Sequence, residues 1–194
     1  MYLGIGTGRL ARPLEEAGIR FVGVDANPRM LEGAGRRLRS TELILGRIEG
    51  LDLRRQFELV IVPSSILYTV DRLRGAAAHL AANGCLAFEL ANPHWLTSGA
   101  GGGVRVIALD GNEARIEVDY ILADGQTYTQ VAEIPLVWPD EMERWLSAAG
   151  LTLRRMFGRP NSTLTSSPTY YVEATREPAR RGAAPVVPAR SAPD

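Results

Sequence analysis

Leu3-Gly4-Ile5-Gly6-Thr7-Gly8 stands near the start of the sequence, and Phe21-Val22-Gly23-Val24-Asp25 follows it after one amphipathic run. In that run Leu10, Leu14 and Ala17 recur at helical spacing. The pattern predicts a short strand, a glycine-rich turn, a helix, and a second apolar strand that ends in an acid.

Each part of this unit has a use in ligand binding. Glycines let the backbone turn sharply and leave no Cβ where a ligand must approach closely. The following helix offers its free N–H groups and the positive end of its dipole to that ligand. Asp25 stands about twenty residues beyond the loop, where an acid can accept hydrogen bonds from both hydroxyls of a ribose. We interpret residues 1–30 as a nucleoside-binding βαβ unit.

The spacing of the glycines distinguishes between classes of nucleotide. A dinucleotide fingerprint, G-x-G-x-x-G, requires its third glycine at the position of Arg9. A phosphate-binding loop that ends in Gly-Lys-Ser/Thr is also absent, because the chain contains no lysine. A nicotinamide-dependent oxidoreductase is therefore a disfavoured alternative.

Composition narrows the class of protein further. At 194 residues, with 45% hydrophobic and 23% charged residues, the chain is expected to form one globular domain. Its 22 basic residues balance its 22 acidic ones, so nothing marks it as a nucleic-acid or membrane binder. We expect no transmembrane helix and no signal peptide. The single cysteine, Cys85, fits a reducing cytoplasm, and two histidines give no recognisable metal-site spacing.

Helical and strand patterns alternate as far as residue 90. Asn27-Pro28 suits a helix start, because Asn is a good N-cap and Pro fits the first helical position. We expect the arginines of residues 36–39 on its solvated face. A helix over 72–82 is predicted to stop at Asn83-Gly84. Strands are predicted at 42–45, at 57–62, buried on both faces, and at 85–90. This alternation predicts a parallel sheet with right-handed crossovers.

The second half of the chain begins with a β-rich insert. The glycine-rich residues 98–103 are expected to be flexible, as a lid hinge or a simple link. Strand-like residues 104–109, 113–122 and 126–137 are separated by Asp110-Gly111 and Asp124-Gly125, which predict a three-stranded antiparallel meander. Tyr120, Tyr128 and Trp138 either pack this meander onto the domain or contact a substrate. A helix over 138–149 and strands over 151–157 and 169–175 follow, and residues 177–194 are expected to be disordered.

Two runs, Leu-Gly-Ile-Gly-Thr-Gly-Arg-Leu at 3–10 and Gly-Val-Asp-Ala-Asn-Pro-Arg-Met-Leu at 23–31, resemble class I S-adenosylmethionine-dependent methyltransferases. The resemblance covers most of residues 3–175. It implies an α/β fold with a Rossmann-like, doubly wound, mostly parallel seven-stranded sheet, a C-terminal antiparallel strand and a three-stranded antiparallel lid. Residues 1–176 would form this domain, with 104–137 as the lid. The insert, the helix start at 138–142 and residues 151–157 look like the small-molecule branch, which includes amino-sugar N-methyltransferases.

The resemblance also implies S-adenosyl-L-methionine as cofactor. The glycine loop would hold its amino-acid end, Asp25 its ribose, and Ala26 and Ile48 its adenine. The full set of candidate cofactor-binding residues is Tyr2, Gly4, Ile5, Gly6, Thr7, Gly8, Asp25, Ala26, Arg47, Ile48 and Pro63.

Some positions depart from the family pattern. Tyr2 stands where the family usually has Asp or Glu, and Arg47 replaces an acid that contacts adenine. Only three residues precede the loop, so we expect a natural start further upstream. These departures support an alternative, a methyltransferase-fold protein that binds the cofactor weakly or depends on a partner.

Residues 63–68 follow a predicted strand and should line the pocket, because open α/β sheets bind ligands at the carboxyl ends of their strands. This segment lacks the Asn/Asp-Pro-Pro-Phe/Tyr motif expected of enzymes that methylate amino groups of nucleic-acid bases. It also lacks the Pro-Cys nucleophile of cytosine-C5 methyltransferases. His94, after the next strand, is the leading acid–base candidate, because the pKa of histidine lies near neutrality. Its alternative is a loop histidine without a role. Tyr68 is the second catalytic candidate.

These observations predict methyl transfer to an N or O atom of a small molecule, with a natural product or amino sugar as the expected acceptor. We expect a small-molecule acceptor, no nucleic-acid or membrane partner, a homodimer as the candidate assembly, and a role in secondary metabolism. An RNA methyltransferase is a further alternative, but this chain has no excess of basic residues and no nucleic-acid-binding motif.

Overall fold

The computed structural model describes residues 1–99, 101–122 and 124–176. In this part of the chain the strands are β1 (Tyr2–Leu3), β2 (Val22–Asp25), β3 (Glu42–Leu45), β4 (Phe57–Val62), β5 (Leu80–Ala91), β6 (Val104–Asp110), β7 (Glu113–Ile121), β8 (Thr127–Pro135), β9 (Leu151–Phe157) and β10 (Thr169–Arg176). The helices are α1 (Arg12–Glu16), α2 (Pro28–Arg37), α3 (Val70–Ala78), α4 (Pro93–Thr97) and α5 (Met142–Ala148). Single 3₁₀ turns cover Ile48–Gly50 and Pro139–Glu141.

Seven strands form one sheet in the order β3-β2-β1-β4-β5-β10-β9. The pairs β1–β2, β2–β3, β1–β4 and β4–β5 are parallel, whereas β10 is antiparallel to both of its neighbours. The predicted fold class, a mostly parallel seven-stranded sheet with an antiparallel C-terminal strand, is confirmed. The chain moves from β3 at one edge back across β1 to β4, so a crevice opens at the carboxyl ends of these strands.

Helix α2 begins where the sequence predicts. The side chain of Asn27 accepts a hydrogen bond from the amide of Arg29, at 3.0 Å, and Pro28 occupies the first helical position. Ala34 on its apolar face and Leu38 just after its end are buried, while the arginines at 36, 37 and 39 are exposed, as expected. Helix α1 is short, and Leu10 is 56% exposed outside it.

The predicted boundary between α3 and β5 is wrong. The helix begins at Val70 and ends at Ala78, and β5 already starts at Leu80, so Asn83-Gly84 lies inside a strand. Tertiary pairing overrides the local stop signal, because the amide of Phe57 donates to the carbonyl of His79 at 2.8 Å and Phe57 pairs with Leu80. His79 is buried, with Nε2 accepting from the amide of Leu53 at 3.2 Å.

The main core lies on one face of the sheet, where α3 and α5 cover it. Its fully buried members include Leu73, Val60, Leu86, Met142 and Val172. A smaller cluster of Tyr2, Ile5, Ala11, Ala34 and Leu38 lies under α1 and α2.

The expectation that β4 is buried on both faces is wrong. Val60 and Val62 are fully buried, but Leu59 is 45% exposed. The face of β4, β5, β9 and β10 opposite the main core carries a shallow depression of about 170 Å³, lined by residues such as Ile61, Ala87 and Tyr171. β4 therefore alternates, as a strand does when one face packs on the core and the other remains open.

Strands β6, β7 and β8 form a separate antiparallel sheet, which confirms the predicted meander. Gly111 and Gly125 turn its two hairpins with φ of 54° and 82°. Ala114, Ile116 and Leu136 of the meander pack with Leu96 of α4. Tyr120 and Tyr128 stand 6.4 Å apart and are 47% and 56% exposed, so they lie beyond this packed region.

The last elements follow the predicted order. The Pro139–Glu141 turn leads into α5, Gly150 ends it with φ of 72°, and β9 and β10 pair in the sheet. The predicted disordered tail, 177–194, and Ala100 of the glycine-rich stretch lie outside the described residues. Among the helices that are described, none has the length and hydropathy needed to cross a membrane.

Candidate functional site

A cleft opens at the carboxyl ends of β1, β2 and β3, at the point where the direction of strand order reverses. It encloses about 140 Å³. Its lining residues are Gly4, Val24, Asp25, Ala26, Gly46, Arg47, Ile48, Glu49, Ile66 and Arg72. In open α/β sheets this crevice is where ligands bind.

The glycine loop, residues 4–8, borders the cleft through Gly4. Gly4, Gly6 and Gly8 have φ of 69°, 57° and 74°, a region that side chains rarely adopt. The amides of Gly4 and Ile5 both donate to the carbonyl of Val24, at 2.8 and 3.0 Å, which fixes the loop to β2. A Cβ at Gly6 would meet nothing within 4 Å, so this backbone faces open space.

Asp25 lies at the end of β2, half-buried beside that loop. Its Oδ2 accepts a hydrogen bond from the amide of Gly6 at 2.8 Å, and its Oδ1 accepts one from the amide of Asn27 at 2.9 Å. An ionised carboxylate has about four acceptor positions, so each oxygen retains one for a ligand. The carboxylate is therefore oriented by the backbone and still able to accept from a diol.

The other end of the cleft combines apolar and charged groups. Ala26 is exposed and Ile48 buried, and both line the cleft. Arg47 lies 3.6 Å from the carboxylate of Glu49, which Arg72 approaches more closely, at 2.8 Å. A hydrogen bond from its own backbone amide, and then the Arg72 guanidinium, lower the pKa of Glu49 below its ordinary value. The acid of this end of the cleft is thus Glu49, two residues after the position where the family pattern has one.

The segment 63–68, which follows β4, reaches the cleft through one side chain. Ile66 lines the cleft directly. The guanidinium of Arg72 stands 4.2 Å over the ring of Tyr68 and donates from Nη1 to the carbonyl of Ile66 at 3.0 Å. The sequence indicated this segment as pocket-lining but not the individual roles of Ile66, Arg72 and Glu49. The pairing of Glu49 with Arg72 spans 23 residues and leaves no local pattern.

The structure brings together Gly4, Gly6, Asp25, Ala26, Arg47 and Ile48 of the predicted cofactor residues. The others point elsewhere. The ring of Tyr2 is buried 6.2 Å from that of Phe21, and the side chain of Ile5 packs against Gly23. Pro63 borders the depression on the open sheet face.

Thr7 and Gly8 lie on the side of α2. Gly8 packs against Leu38, while Thr7 contacts Gly33 and its carbonyl accepts from Arg37. Thr7 also borders a larger cavity, about 760 Å³, between α1 and α2. Arginines, Glu15 and Glu16 line that cavity. Because it lies away from the carboxyl ends of the strands, we do not assign it as the ligand-binding site, although it is larger than the cleft.

His94 lies on α4, just after the carboxyl end of β5. Asn92 caps this helix, since its Oδ1 accepts from the amide of His94 at 3.1 Å, while its Nδ2 donates to the carbonyls of Leu164 and Ser167. The imidazole is half-buried and meets the ring of Trp138 edge-on, with centroids 5.1 Å apart. His94 and Tyr68 therefore occupy separate segments: Tyr68 lies beside Arg72, which lines the cleft, whereas the lining of the cleft does not include His94.

Comparisons with known proteins agree with this geometry. Residues 1–84 match a family model described as a methyltransferase domain. No curated protein matches the sequence.

Solved structures share the fold over most of the chain. An S-adenosylmethionine-dependent methyltransferase from Clostridium acetobutylicum has a TM-score of 0.74 and 16% identity, over 91% of this chain and 82% of that one. The methyltransferase CcbJ from Streptomyces caelestis has a TM-score of 0.70 and 20% identity, over 91% and 82%. CalS10, an amino pentose methyltransferase from Micromonospora echinaspora that was solved with S-adenosylmethionine bound, has a TM-score of 0.69 and 22% identity, over 89% and 81%.

The resemblance expected from the glycine loop and the residues around Asp25 is confirmed. The chain has the fold of the S-adenosylmethionine-dependent methyltransferases, and its residues 1–84 match the methyltransferase domain family.

Proposed function

We propose that this protein binds S-adenosyl-L-methionine and transfers its methyl group to an N or O atom of a small molecule. The observation that carries the proposal is the carboxylate of Asp25, oriented by the amide of Gly6 beside a glycine loop at the switch point of the sheet. A natural product or an amino sugar is the proposed class of acceptor.

The residues of the cleft fit this cofactor. Asp25 offers free acceptor positions for the ribose hydroxyls, and the open space at Gly6 admits a ligand close to the backbone. Ala26, Val24 and Ile48 supply apolar surface for an adenine ring. Methyltransferases solved in complex with S-adenosylmethionine or S-adenosylhomocysteine share the fold, which supports the same choice of cofactor.

When bound, S-adenosylmethionine supplies an electrophilic methyl group on a sulfonium, so the chain's own residues need only bind, orient and exclude water. Asp25 and the loop would hold the nucleoside, and residues 63–68 would cover it. Holding an acceptor in line with the methyl group can lower the barrier by about 7 kcal/mol or more in favourable cases.

His94 is the proposed general base for acceptors that carry a hydroxyl. Its half-buried imidazole follows the carboxyl end of β5, on the same edge of the sheet as the cleft, and meets the ring of Trp138 edge-on. A neutral amine needs weaker assistance, because water can take up its proton. Tyr68 is the second candidate, since its ring lies beside Arg72 at the mouth of the cleft.

Two observations support a small-molecule acceptor. Structures with the same fold include an amino pentose methyltransferase and a sugar N-methyltransferase. The meander of β6, β7 and β8 also packs on α4, the helix that carries His94, and its exposed Tyr120 and Tyr128 can contact an acceptor. We also propose that the protein is cytoplasmic and forms a homodimer. Analytical sedimentation of the purified protein tests the homodimer.

The test is a transfer assay with methyl-labelled S-adenosylmethionine and a panel of amino sugars, other amines and phenols. We expect labelled product from at least one acceptor and no transfer after Asp25→Ala. His94→Gln should lower kcat about a hundredfold for a phenol, a typical general-base contribution, and far less for an amine. If the wild-type chain binds the cofactor but transfers to no member of the panel, the acceptor class is wrong.

One observation favours a second candidate, a methyltransferase-fold protein that binds the cofactor weakly or with a partner. Ile66 lies in the cleft, which holds about 140 Å³, whereas ligand sites commonly hold about 300–1,000 Å³. Absence of transfer together with weak binding of both sulfur nucleosides would favour this candidate.

A further inference from the structure

We infer that residues 63–68, here called the strap, close the cofactor cleft in the free protein, and that Arg72 is the positioning residue that holds the strap closed. The inference rests on the proposed function, because it concerns access of the cofactor to the same cleft.

The strap occupies space that a ligand needs. Ile66 reaches across to the glycine loop, where its Cδ1 would lie 2.1 Å from a Cβ placed on Gly4. The side chain therefore packs directly on the Gly4 backbone and forms part of the cleft wall. The cleft that remains, about 140 Å³, is below the range of about 300–1,000 Å³ typical of ligand sites. Withdrawal of Ile66 would enlarge it.

Arg72 joins the strap to the opposite wall. From the first turn of α3 its Nη1 donates to the carbonyl of Ile66 at 3.0 Å, and its guanidinium lies 4.2 Å from the centre of the Tyr68 ring. Its Nε donates to Oε1 of Glu49, on the adenine side of the cleft, at 2.8 Å. The Arg72 side chain is only 19% exposed, so these contacts are partly shielded from water. One side chain thus bridges the mouth of the cleft.

The strap has a backbone conformation that favours movement. Ser64 and Ser65 have φ of 69° and 55°, a left-handed region that costs free energy for residues with a Cβ. The amide of Ser64 donates to Oε1 of Glu89 at 2.9 Å, which forms a second attachment. The strained, polar-anchored backbone of Ser64 and Ser65 leaves the first half of the strap free to move, while Leu67, fully buried in the main core, anchors the other end.

This arrangement predicts an unusual sign for mutations. If Arg72 contacted the cofactor directly, its loss would weaken binding. If Arg72 holds a strap that excludes the cofactor, its loss raises the fraction of open protein, and the apparent affinity rises by the same factor. A purely structural role in folding would not strengthen binding at all.

The test uses the full chain with Arg72→Met, which retains the apolar stem and removes the guanidinium. Ile66→Ala removes the side chain that narrows the cleft. Arg74→Met is the matched control: it lies on the same helix and pairs with Asp71 and the carbonyl of Ala148.

Stopped-flow binding of S-adenosylhomocysteine measures access. We expect the association rate constant of Arg72→Met and Ile66→Ala to rise about five- to tenfold, with a matching fall in Kd, and that of Arg74→Met to stay at the wild-type value. If S-adenosylhomocysteine associates with Arg72→Met and with Ile66→Ala no faster than with the wild type, the inference is overturned.

Hydrogen–deuterium exchange of the free protein gives a readout that needs no ligand. Arg72→Met should speed exchange at the amides of Ser64 and Tyr68 about threefold or more, while Arg74→Met leaves them unchanged. Unchanged exchange in Arg72→Met would show that Arg72 does not hold the strap. Faster exchange with no binding of either sulfur nucleoside by any variant would instead refute the proposed function and leave the hold of Arg72 on the strap established.

Discussion

The amide of Gly6 donates a hydrogen bond to Oδ2 of Asp25 across 2.8 Å, and this contact joins the glycine loop to the acid at the end of β2. The two residues are separated by 19 positions in the sequence, yet they form one unit. Because the backbone orients the carboxylate before a ligand arrives, little ordering remains to be done at binding.

The first prediction concerns that carboxylate. Asp25→Asn should raise the Kd for S-adenosylhomocysteine about tenfold or more, because a hydrogen bond to a charged group contributes about 1.5–3 kcal/mol. Asp71→Asn, at an exposed position on α3, is the control and should leave the Kd unchanged. Equilibrium dialysis of the three proteins measures the difference, and equal affinities would exclude Asp25 from the site.

The second prediction separates backbone strain from ligand contact. Gly6 and Gly18 have φ of 57° and 79°, and a Cβ at either would meet nothing within 4 Å. Alanine at each should therefore cost a similar stability, about 1–2 kcal/mol for the left-handed conformation. Only Gly6→Ala should also weaken cofactor binding, because the proposed ligand approaches the backbone of Gly6 beside Asp25. Urea unfolding and binding are measured on both variants, and a Gly6→Ala protein with wild-type affinity would contradict the assignment.

A third prediction addresses the support of the fold. Tyr170 of β10 is fully buried, and its hydroxyl donates to the carbonyl of Val137 at 2.8 Å. Burial, and then the charge of Glu141, raise the pKa of this phenol far above its ordinary value. Tyr170→Phe should cost about 1–2 kcal/mol in the free energy of unfolding, because a buried carbonyl loses its partner. Tyr171→Phe, on the open sheet face, should cost little. Urea titrations that rank the two in the other order would refute this account.

The fourth prediction concerns acid stability. Glu15 of α1 has its pKa lowered to about 2 by hydrogen bonds from the amides of Arg39 and Ser40 and from the hydroxyl of Thr41. Since the folded-state pKa lies below the unfolded value, the ionised group stabilises the fold above about pH 4.5, and this contribution disappears as the pH falls toward 2.

Glu15→Gln should therefore lower Tm by a few degrees near pH 7, and the difference from wild type should shrink as the pH falls below about 4.5. Thermal melts at a series of pH values measure it. Glu16→Gln is the control, since Glu16 pairs only with the exposed Arg12 among the described residues. A Tm difference independent of pH would contradict the role of Glu15.

The fold class and the centre of the site can be predicted from the sequence, because both depend on local signals. The structure agrees with three local signals: the alternation of strand and helix patterns, the glycines of the hairpin turns, and the helix cap at Asn27. The glycine loop and Asp25 also belong to one βαβ unit, so their meeting was predictable.

The remaining features depend on contacts between distant segments. Ile66 meets Gly4, and Arg72 meets Glu49, only because α3 returns beside the 3₁₀ turn after β3. The predicted end of α3 is wrong for a similar reason: Phe57 pairs with Leu80, so β5 starts before the local stop signal at Asn83-Gly84. Tyr2 occupies the sequence position where the family usually has an acid, but its ring packs against Phe21 and not in the cleft.

The most direct test of the central claim is calorimetric titration of the purified chain with S-adenosylmethionine and S-adenosylhomocysteine, with NADH as the control ligand. We predict saturable binding of both sulfur nucleosides at micromolar Kd, no binding of NADH, and loss of binding in Asp25→Ala. Absence of binding by either sulfur nucleoside, in the wild-type chain and in Ile66→Ala alike, would contradict the account.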